Sequence, residues 1–408
     1  MRWFSPGWLS LSLSSSFALS LSMSMLLAGC ASLDHSPAPP PALFADARFA
    51  PPSEPIGAHD LFTLSPAMRT YLDSSAFQAR LRAKGMQHGL VDALYSKSDL
   101  KLEYESTITR TASQTYAARM GNCLSLVIMT AAFARELGMP IRFQSVDVDN
   151  TWSRSAGLYL SSSHINISLG ERPTDAPRGY HPQRVLVVDF IPRDQAARLR
   201  TRELEEDDIV ALFLNNRAAE ALVQGKRDDA YWWARAAVLA RPGMASTLNT
   251  LGVIYQRHGE PALAERVFQA ALVREPENLA VLRNLQPVLV TLGRPLEAAA
   301  LARRIAAVDP TPPYHYFDLG TAALKAGRFD EAVAHFAREV RRAPYNDEFR
   351  FWLGVAHLQS GHMSDAHEQI ALAVDHSTRR EMREVYSAKL AYLRKVAAGA
   401  GTHIRQAH

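Results

Sequence analysis

A 34-residue period is the feature that most constrains how this chain can fold. Three residue types recur at that interval through the carboxyl-terminal half. The recurring positions are Gly225, Gly259, Gly293, Gly327 and Gly361; Ala230, Ala264, Ala298, Ala332 and Ala366; and Pro242, Pro276, Pro310 and Pro344. Such a glycine ends a first helix in the left-handed conformation, the alanine lets two helices approach, and the proline ends the second helix. The period therefore predicts five stacked helix-turn-helix units over residues 208–378.

The second of these units resembles a tetratricopeptide repeat (TPR). The matching positions are Leu248, Leu251, Gly252, Tyr255, Ala264, Phe268, Ala271 and Pro276. The resemblance implies an all-α solenoid that binds a protein or peptide along a groove lined by the first helix of each unit. After the last unit, residues 379–398 have the pattern of an amphipathic helix, which we expect to cap the array.

The first-helix positions of the last two units are apolar, which makes them candidates for a partner-binding groove. They are Tyr314, Phe317, Leu324, Phe351 and Leu358. An exposed apolar surface of this kind is typical of a protein-docking site. The alternative is that this end of the array packs on the preceding domain or on the capping helix.

The amino terminus is organised like an export signal. Arg2 precedes a long uncharged stretch rich in Leu, Ser and Met, which ends in Leu27-Ala28-Gly29-Cys30. Small residues before a cleavage site are typical of a signal peptide. The sequence resembles the lipobox of bacterial lipoproteins, which implies a signal peptide over residues 1–29 and a diacylglycerol on Cys30. The alternatives are an uncleaved membrane anchor and a plain secretory signal.

Residues 30–58 are predicted to form a proline-rich tether. The stretch carries seven prolines and no apolar periodicity, a composition that favours an extended chain. Ala31 follows the lipidation site, and by resemblance to the sorting rule of Gram-negative lipoproteins this favours the outer membrane. We therefore expect a lipid-anchored envelope protein that faces the periplasm.

Charge and cysteine content narrow the possible partners and chemistry. The net charge is only +4 over 408 residues and the basic residues are spread along the chain, so nucleic acid is not a predicted partner. No metal constellation, phosphate loop or nucleotide fingerprint is visible, and no cofactor or metal is predicted. With Cys30 lipidated, Cys123 has no disulfide partner within the chain. It is either a buried filler or a reactive thiol.

Cys123 is predicted to begin a helix. Leu124, Val127 and Ile128 follow it at helical spacing, and Gly121 just before it permits a tight entry. A thiol at a helix amino terminus lies at the positive end of the helix dipole, which lowers its pKa. The backbone N–H of the same residue is placed where an oxyanion would develop.

A histidine and an aspartate follow on two predicted strands. Residues 164–169 alternate, with three apolar residues on one face and His164, Asn166 and Ser168 on the other. Asp189 interrupts the apolar run 184–190, where a buried carboxylate is costly unless it has a partner such as an imidazole. Taken singly, His164 is more typical of a strand histidine with satisfied hydrogen bonds, and Cys123 of a core filler.

The order of Cys, strand His and strand Asp resembles the transglutaminase-like branch of the papain-like fold. The matching pieces include Gly121-Asn122-Cys123, His164 and Val188-Asp189-Phe190, within about residues 65–195. The resemblance implies an α+β domain over residues 59–200 in which Cys123 is the nucleophile, His164 the general base and acid, and Asp189 the residue that orients His164. His181 is a rival for the histidine role, and the oxyanion side chain stays open among Gln114, Tyr104 and Trp152.

Together, these features imply an α+β enzyme domain followed by an all-α TPR solenoid. The transglutaminase-like resemblance implies a cysteine peptidase, amidase or acyltransferase that acts on amide bonds of a protein or peptide recruited by the array. The alternative is a non-catalytic TPR scaffold of the cell envelope.

Overall fold

The computed structural model describes residues 43–96, 100, 102–146, 152–155, 158–161, 164–172, 185–190 and 201–405. The predicted signal peptide, Cys30 and the first part of the predicted tether lie outside these residues, as does His181. Within the described part of the chain, no helix is both long enough and apolar enough to span a membrane.

The described part of residues 59–204 contains five helices and eight strands. The helices are α1 (Pro66–Asp73), α2 (Ser75–Lys84), α3 (Met86–Tyr95), α4 (Ala112–Ala118) and α5 (Cys123–Glu136). The strands are β1 (Glu103–Tyr104), β2 (Met120–Gly121), β3 (Ile141–Val146), β4 (Trp152–Ser155), β5 (Leu158–Ser161), β6 (His164–Leu169), β7 (Leu186–Val188) and β8 (Thr201–Leu204). Ser65 begins α1 as a side-chain cap, accepting the Met68 N–H at 3.3 Å.

A four-stranded antiparallel sheet with the order β7-β6-β3-β8 packs against α5. Residues 124–134 of α5 are all buried, as expected for a helix surrounded by other elements. Every residue of β6 is buried as well, so the polar face that carries His164 is covered rather than solvated. The sheet and the buried helix thus enclose the residues predicted to form the site.

Ten helices form five antiparallel pairs after β8. They are α6 (Glu206–Val223), α7 (Arg227–Ala240), α8 (Ala245–His258), α9 (Pro261–Arg274), α10 (Leu279–Thr291), α11 (Pro295–Val308), α12 (His315–Lys325), α13 (Phe329–Arg342), α14 (Asp347–Gln359) and α15 (Met363–His376). The five periodic glycines all have a positive φ, between 74° and 87°, at the turn inside each pair. The prediction that each glycine leaves the first helix in the left-handed conformation is confirmed.

Helix α16 (Arg380–Arg405) packs on the last repeat and starts close to where the capping helix is predicted. Phe351 of the last unit stacks on Tyr386 with ring centroids 4.5 Å apart, and Leu358 packs against the cluster of Leu390 and Leu393. The cap therefore covers the apolar face that would otherwise end the array in water.

The predicted groove residues do not line an open surface. Tyr314 and Phe317 are only 2% and 5% exposed, and both lie within 5.4 Å of the Phe349 ring. Leu324 packs against the same cluster, while Phe351 and Leu358 are covered by α16. The prediction of an apolar docking groove at these five positions is wrong. The alternative of packing on the capping helix holds for the last two, because periodic apolar positions in a solenoid also build its core.

Residues 43–58, placed in the tether by composition, pack on the first repeats. The Phe49 ring stacks on Tyr231 of α7 with centroids 3.9 Å apart and planes 1° apart. Ser53 donates to Asp229 of the same helix from both its backbone nitrogen, at 2.7 Å, and its hydroxyl, at 2.6 Å. This part of the predicted tether is therefore a docked segment rather than a free spacer.

Candidate functional site

The local sequence around Cys123 builds a tight helix start. The Asn122 side chain caps α5, with Oδ1 accepting the Ser125 N–H at 2.9 Å. A Cβ atom on Gly121 would lie 2.7 Å from the Ser125 Cβ, so only glycine fits there without displacement. Cys123 is the first residue of the helix and is partly exposed, as a reactive thiol must be.

A chain of hydrogen bonds ties this helix start to the first repeat. Asn122 Nδ2 donates to the Thr109 hydroxyl at 2.7 Å, and the Arg110 N–H donates to Ser125 Oγ at 2.8 Å. The Thr109 N–H in turn donates to Glu220 of α6 at 2.7 Å. The array therefore contributes to fixing the position of the Cys123 helix.

His164 and Asp189 form a short, buried contact. His164 Nε2 lies 2.6 Å from Asp189 Oδ1, and the two side chains are 7% and 11% exposed. The antiparallel register pairs Ile167 with Val188, which brings the residue after β7 alongside the start of β6. Asn166 donates to Asp189 Oδ2 at 3.0 Å, so the carboxylate accepts a bond at each oxygen.

The Cys123 thiol and the His164 imidazole interact, and each shifts the pKa of the other. Burial alone would raise the pKa of Cys123, but the hydrogen bond and the charge of His164 outweigh it, and the pKa lies below that of an ordinary thiol. Burial alone would lower the pKa of His164, but its bonds to Asp189 and Cys123 raise it to about 9. At neutral pH this arrangement favours a thiolate beside an imidazolium.

Tyr104 also reaches Cys123. Strand β1 pairs in parallel with β2 so that Tyr104 lies opposite Gly121, and the Glu105 N–H donates to the Gly121 carbonyl at 3.0 Å. This pairing places Tyr104 beside the start of α5, where the charge of Cys123 acts on the phenol. Burial, and then the charge of Cys123, raise the pKa of Tyr104, so the hydroxyl keeps its proton.

Of the other two oxyanion candidates, the structure describes only the side chain of Gln114. Gln114 is exposed and is engaged in a capping box, accepting the Thr111 N–H at 3.1 Å. The side chain of Trp152 lies outside the described residues. Of the two candidates whose side chains are described, Tyr104 is the one that interacts with Cys123.

The structure thus brings Cys123, His164 and Asp189 together. Sequence reasoning missed the roles of Asn122 and Asn166. A signal for both was present, since Asn122 immediately precedes a predicted helix and Asn166 shares the alternating face of His164.

The repeats have a counterpart among known protein families. The tetratricopeptide repeat family model matches residues 249–315 and 317–378. This part of the chain consists of TPR repeats, and TPR arrays are protein-binding modules. The match begins after the Cys123 site and does not test it. No curated protein matches the chain.

Several solved structures resemble part of the chain at low identity. YrrB, described as a TPR protein with an unusual peptide-binding site, is 22% identical, with 44% of this chain and 92% of YrrB covered and a TM-score of 0.24. Pseudomonas aeruginosa pilF is 19% identical, with 50% of this chain and 94% of pilF covered and a TM-score of 0.28. A thermophilic TPR protein of Thermus thermophilus, TTC0263, is 19% identical, with 44% of this chain and 99% of TTC0263 covered and a TM-score of 0.28.

Proposed function

We propose that this chain is an envelope lipoprotein whose Cys123 attacks amide carbonyls of a protein or peptide held by the TPR array. The observation that carries the proposal is the contact between His164 Nε2 and the Asp189 carboxylate, in an imidazole whose charge lowers the pKa of the Cys123 thiol. A nucleophile, a base and a group that orients the base are the parts that covalent acyl transfer needs. The transglutaminase-like resemblance of the sequence points to the same chemistry.

The proposed reaction begins when the Cys123 thiolate attacks the carbonyl carbon. The negative charge that develops on the carbonyl oxygen is stabilised by the Cys123 backbone N–H and the Tyr104 hydroxyl. The His164 imidazolium then gives its proton to the departing amine, which leaves a thioester on Cys123. Water or a second amine, deprotonated by His164, resolves the thioester by hydrolysis or by acyl transfer.

The pH dependence of Cys123 alkylation tests the state of the thiol. In the Cys30→Ala chain, where Cys123 is the remaining thiol, iodoacetamide labelling should rise through a midpoint well under the ordinary value of about 8.5. A second change is expected near pH 9, where His164 loses its proton. The measurement is the labelling rate by mass spectrometry, with the same chain in guanidinium as control. A folded-state midpoint at or above the unfolded one would contradict the proposal.

A scaffold without catalysis is the second candidate, and the similarity to known proteins favours it, because that similarity covers TPR repeats. In this alternative, the array gathers envelope proteins and the α+β part is only a platform. Covalent trapping of a partner on Cys123 distinguishes the enzyme from the scaffold. A thiol enzyme forms an acyl adduct at Cys123 that Cys123→Ala abolishes, whereas a scaffold captures the same partners with either residue.

Lipidation of Cys30 is a separate proposal, supported by Leu27-Ala28-Gly29-Cys30. Labelled fatty acid should enter the wild-type chain in bacterial cells and not Cys30→Ala, because the thiol at that position is the acceptor. Cys123→Ala is the matched control and should label as the wild type does. Equal labelling of Cys30→Ala and wild type would show that the amino terminus is a plain secretory signal or an uncleaved anchor.

A further inference from the structure

The turn inside the last repeat brings three ligand-type side chains together. His357 lies near the end of α14, His362 stands just before α15, and Asp365 lies in its first turn. Their ligand atoms are all within 4.8 Å of one another, and His357 Nδ1 is 3.8 Å from Asp365 Oδ2. Gly361, with a φ of 79°, makes the tight turn that places the two helix ends side by side.

The other repeats provide an internal reference for this turn. One period earlier, the positions of His362 and Asp365 carry an arginine and a glutamate that form an ion pair, and the same is true two periods earlier. The two pairs are Arg294–Glu297 and Arg328–Glu331, each at 2.6 Å. In the last unit both partners are changed together, to residues that ligate transition metals.

His357 departs from its repeat equivalents even more. The corresponding residues in the earlier units are Tyr255, Leu289 and Ala323, which are 0%, 5% and 0% exposed. At this packed position, Nδ1 of His357 is buried and has no hydrogen-bond partner among the described residues. A buried polar atom normally has a partner.

We propose that His357, His362 and Asp365 bind one Zn²⁺ ion, with water in the remaining position. Two imidazoles and a carboxylate form a ligand set that Zn²⁺ prefers, and ligand atoms about 2 Å from the metal lie about 3.3 Å apart in a tetrahedral site. His362 and Asp365 are exposed, so their side chains can turn the short distance needed to close the site. This site is independent of the chemistry proposed for Cys123.

No familiar metal-binding motif marks this turn in the sequence. The ligands are spaced as His-x₄-His-x₂-Asp across a helix break, a pattern unlike the helical or paired-cysteine motifs of common zinc sites. The sequence signal for this site is the comparison of the repeats when they are aligned by their 34-residue period.

The test is a Zn²⁺ titration by calorimetry of the mature chain, without a histidine tag and with Cys123→Ala to remove the competing thiol. We expect one ion per chain and a higher melting temperature with Zn²⁺, since a ligand that binds the folded state stabilises it. The double substitution His362→Arg with Asp365→Glu restores the ion pair of the earlier repeats. It should weaken Zn²⁺ binding by at least about tenfold.

His315→Ala removes an exposed histidine of the preceding unit and is the matched control, which should bind Zn²⁺ as the parent does. Asp365→Asn is a second, nearly isosteric variant that should also lose affinity and guards against misfolding of the double variant. Absence of binding in the parent chain, or equal binding in the parent and both variants, would overturn the proposed site.

Discussion

Asp189→Asn should slow acylation of Cys123 by up to about 10⁴-fold, the loss known for the corresponding change in triad hydrolases. The structure gives a specific reason for a large effect. Asp189 accepts two donors, His164 at 2.6 Å and Asn166 at 3.0 Å. An amide has only one acceptor oxygen. If that oxygen stays with Asn166, the amide nitrogen faces His164 Nε2 and forces the proton onto the other ring nitrogen, which in the proposed mechanism must accept the proton of the thiol.

The same substitution should narrow the pH range in which the ion pair exists. The carboxylate helps to raise the pKa of His164 to about 9, so its loss lowers that pKa. In the wild type, the imidazolium lowers the pKa of Cys123. The pKa of Cys123 should therefore rise in the variant, where the imidazolium is less stable. The lower limb of the pH–rate profile, which reports ionisation of Cys123, should move to higher pH. The upper limb, which reports loss of the proton from His164, should move to lower pH. An activated ester that acylates the thiol can be used to measure both limbs.

Asp309→Asn is the matched control for this prediction. Asp309 forms an ion pair with Arg283 at 2.7 Å within the array, so its neutralisation removes a paired carboxylate away from the Cys123 site. It should leave the pH–rate profile unchanged. If Asp189→Asn instead kept the wild-type profile but lowered the melting temperature, Asp189 would be a structural residue and the scaffold alternative would be favoured.

The array could be predicted because its signals are local. A glycine at each turn and a proline after the second helix of the first four units act within a few residues, and the structure has both where the period places them. Whether the predicted groove and the predicted tether are exposed depends on contacts between residues far apart in the sequence. Whether Phe351 is exposed depends on Tyr386 in α16, and whether Phe49 is free depends on Tyr231 in α7. Composition and periodicity carry no information about such pairings.

The same distinction between local and long-range contacts applies to the candidate site. The helix start at Cys123 follows from neighbouring residues, and its cap and close glycine are in place. The contact between His164 and Asp189 depends on the register of two strands separated in sequence, which the resemblance implied but no local pattern fixes. Tyr104 lies on a strand of two residues, too short for a periodic signal, and its place beside Cys123 depends on the pairing of that strand with β2.

Tyr104→Phe should slow acylation of Cys123 by about 10²–10³-fold, the loss expected when one donor to an oxyanion is removed. The Tyr104 hydroxyl interacts with Cys123 and keeps its proton, because burial raises its pKa. It can therefore donate to the oxygen of a tetrahedral intermediate. Phenylalanine keeps the ring and its packing but has no donor, so the loss should appear in kcat with a much smaller change in KM.

Two reagents separate this role from a general effect on the thiol. Acylation by an ester passes through an oxyanion, whereas alkylation by iodoacetamide displaces iodide at a saturated carbon and forms none. Tyr104→Phe should therefore impair acylation while alkylation stays within a few-fold of the wild type, whereas Asp189→Asn should impair both. Tyr95→Phe is the control, since the Tyr95 hydroxyl bonds the Asp189 carbonyl at 3.4 Å and has no proposed contact with the oxyanion. If Tyr104→Phe slowed the two reactions equally, Tyr104 would only position the thiol, and the oxyanion would depend on the Cys123 N–H alone.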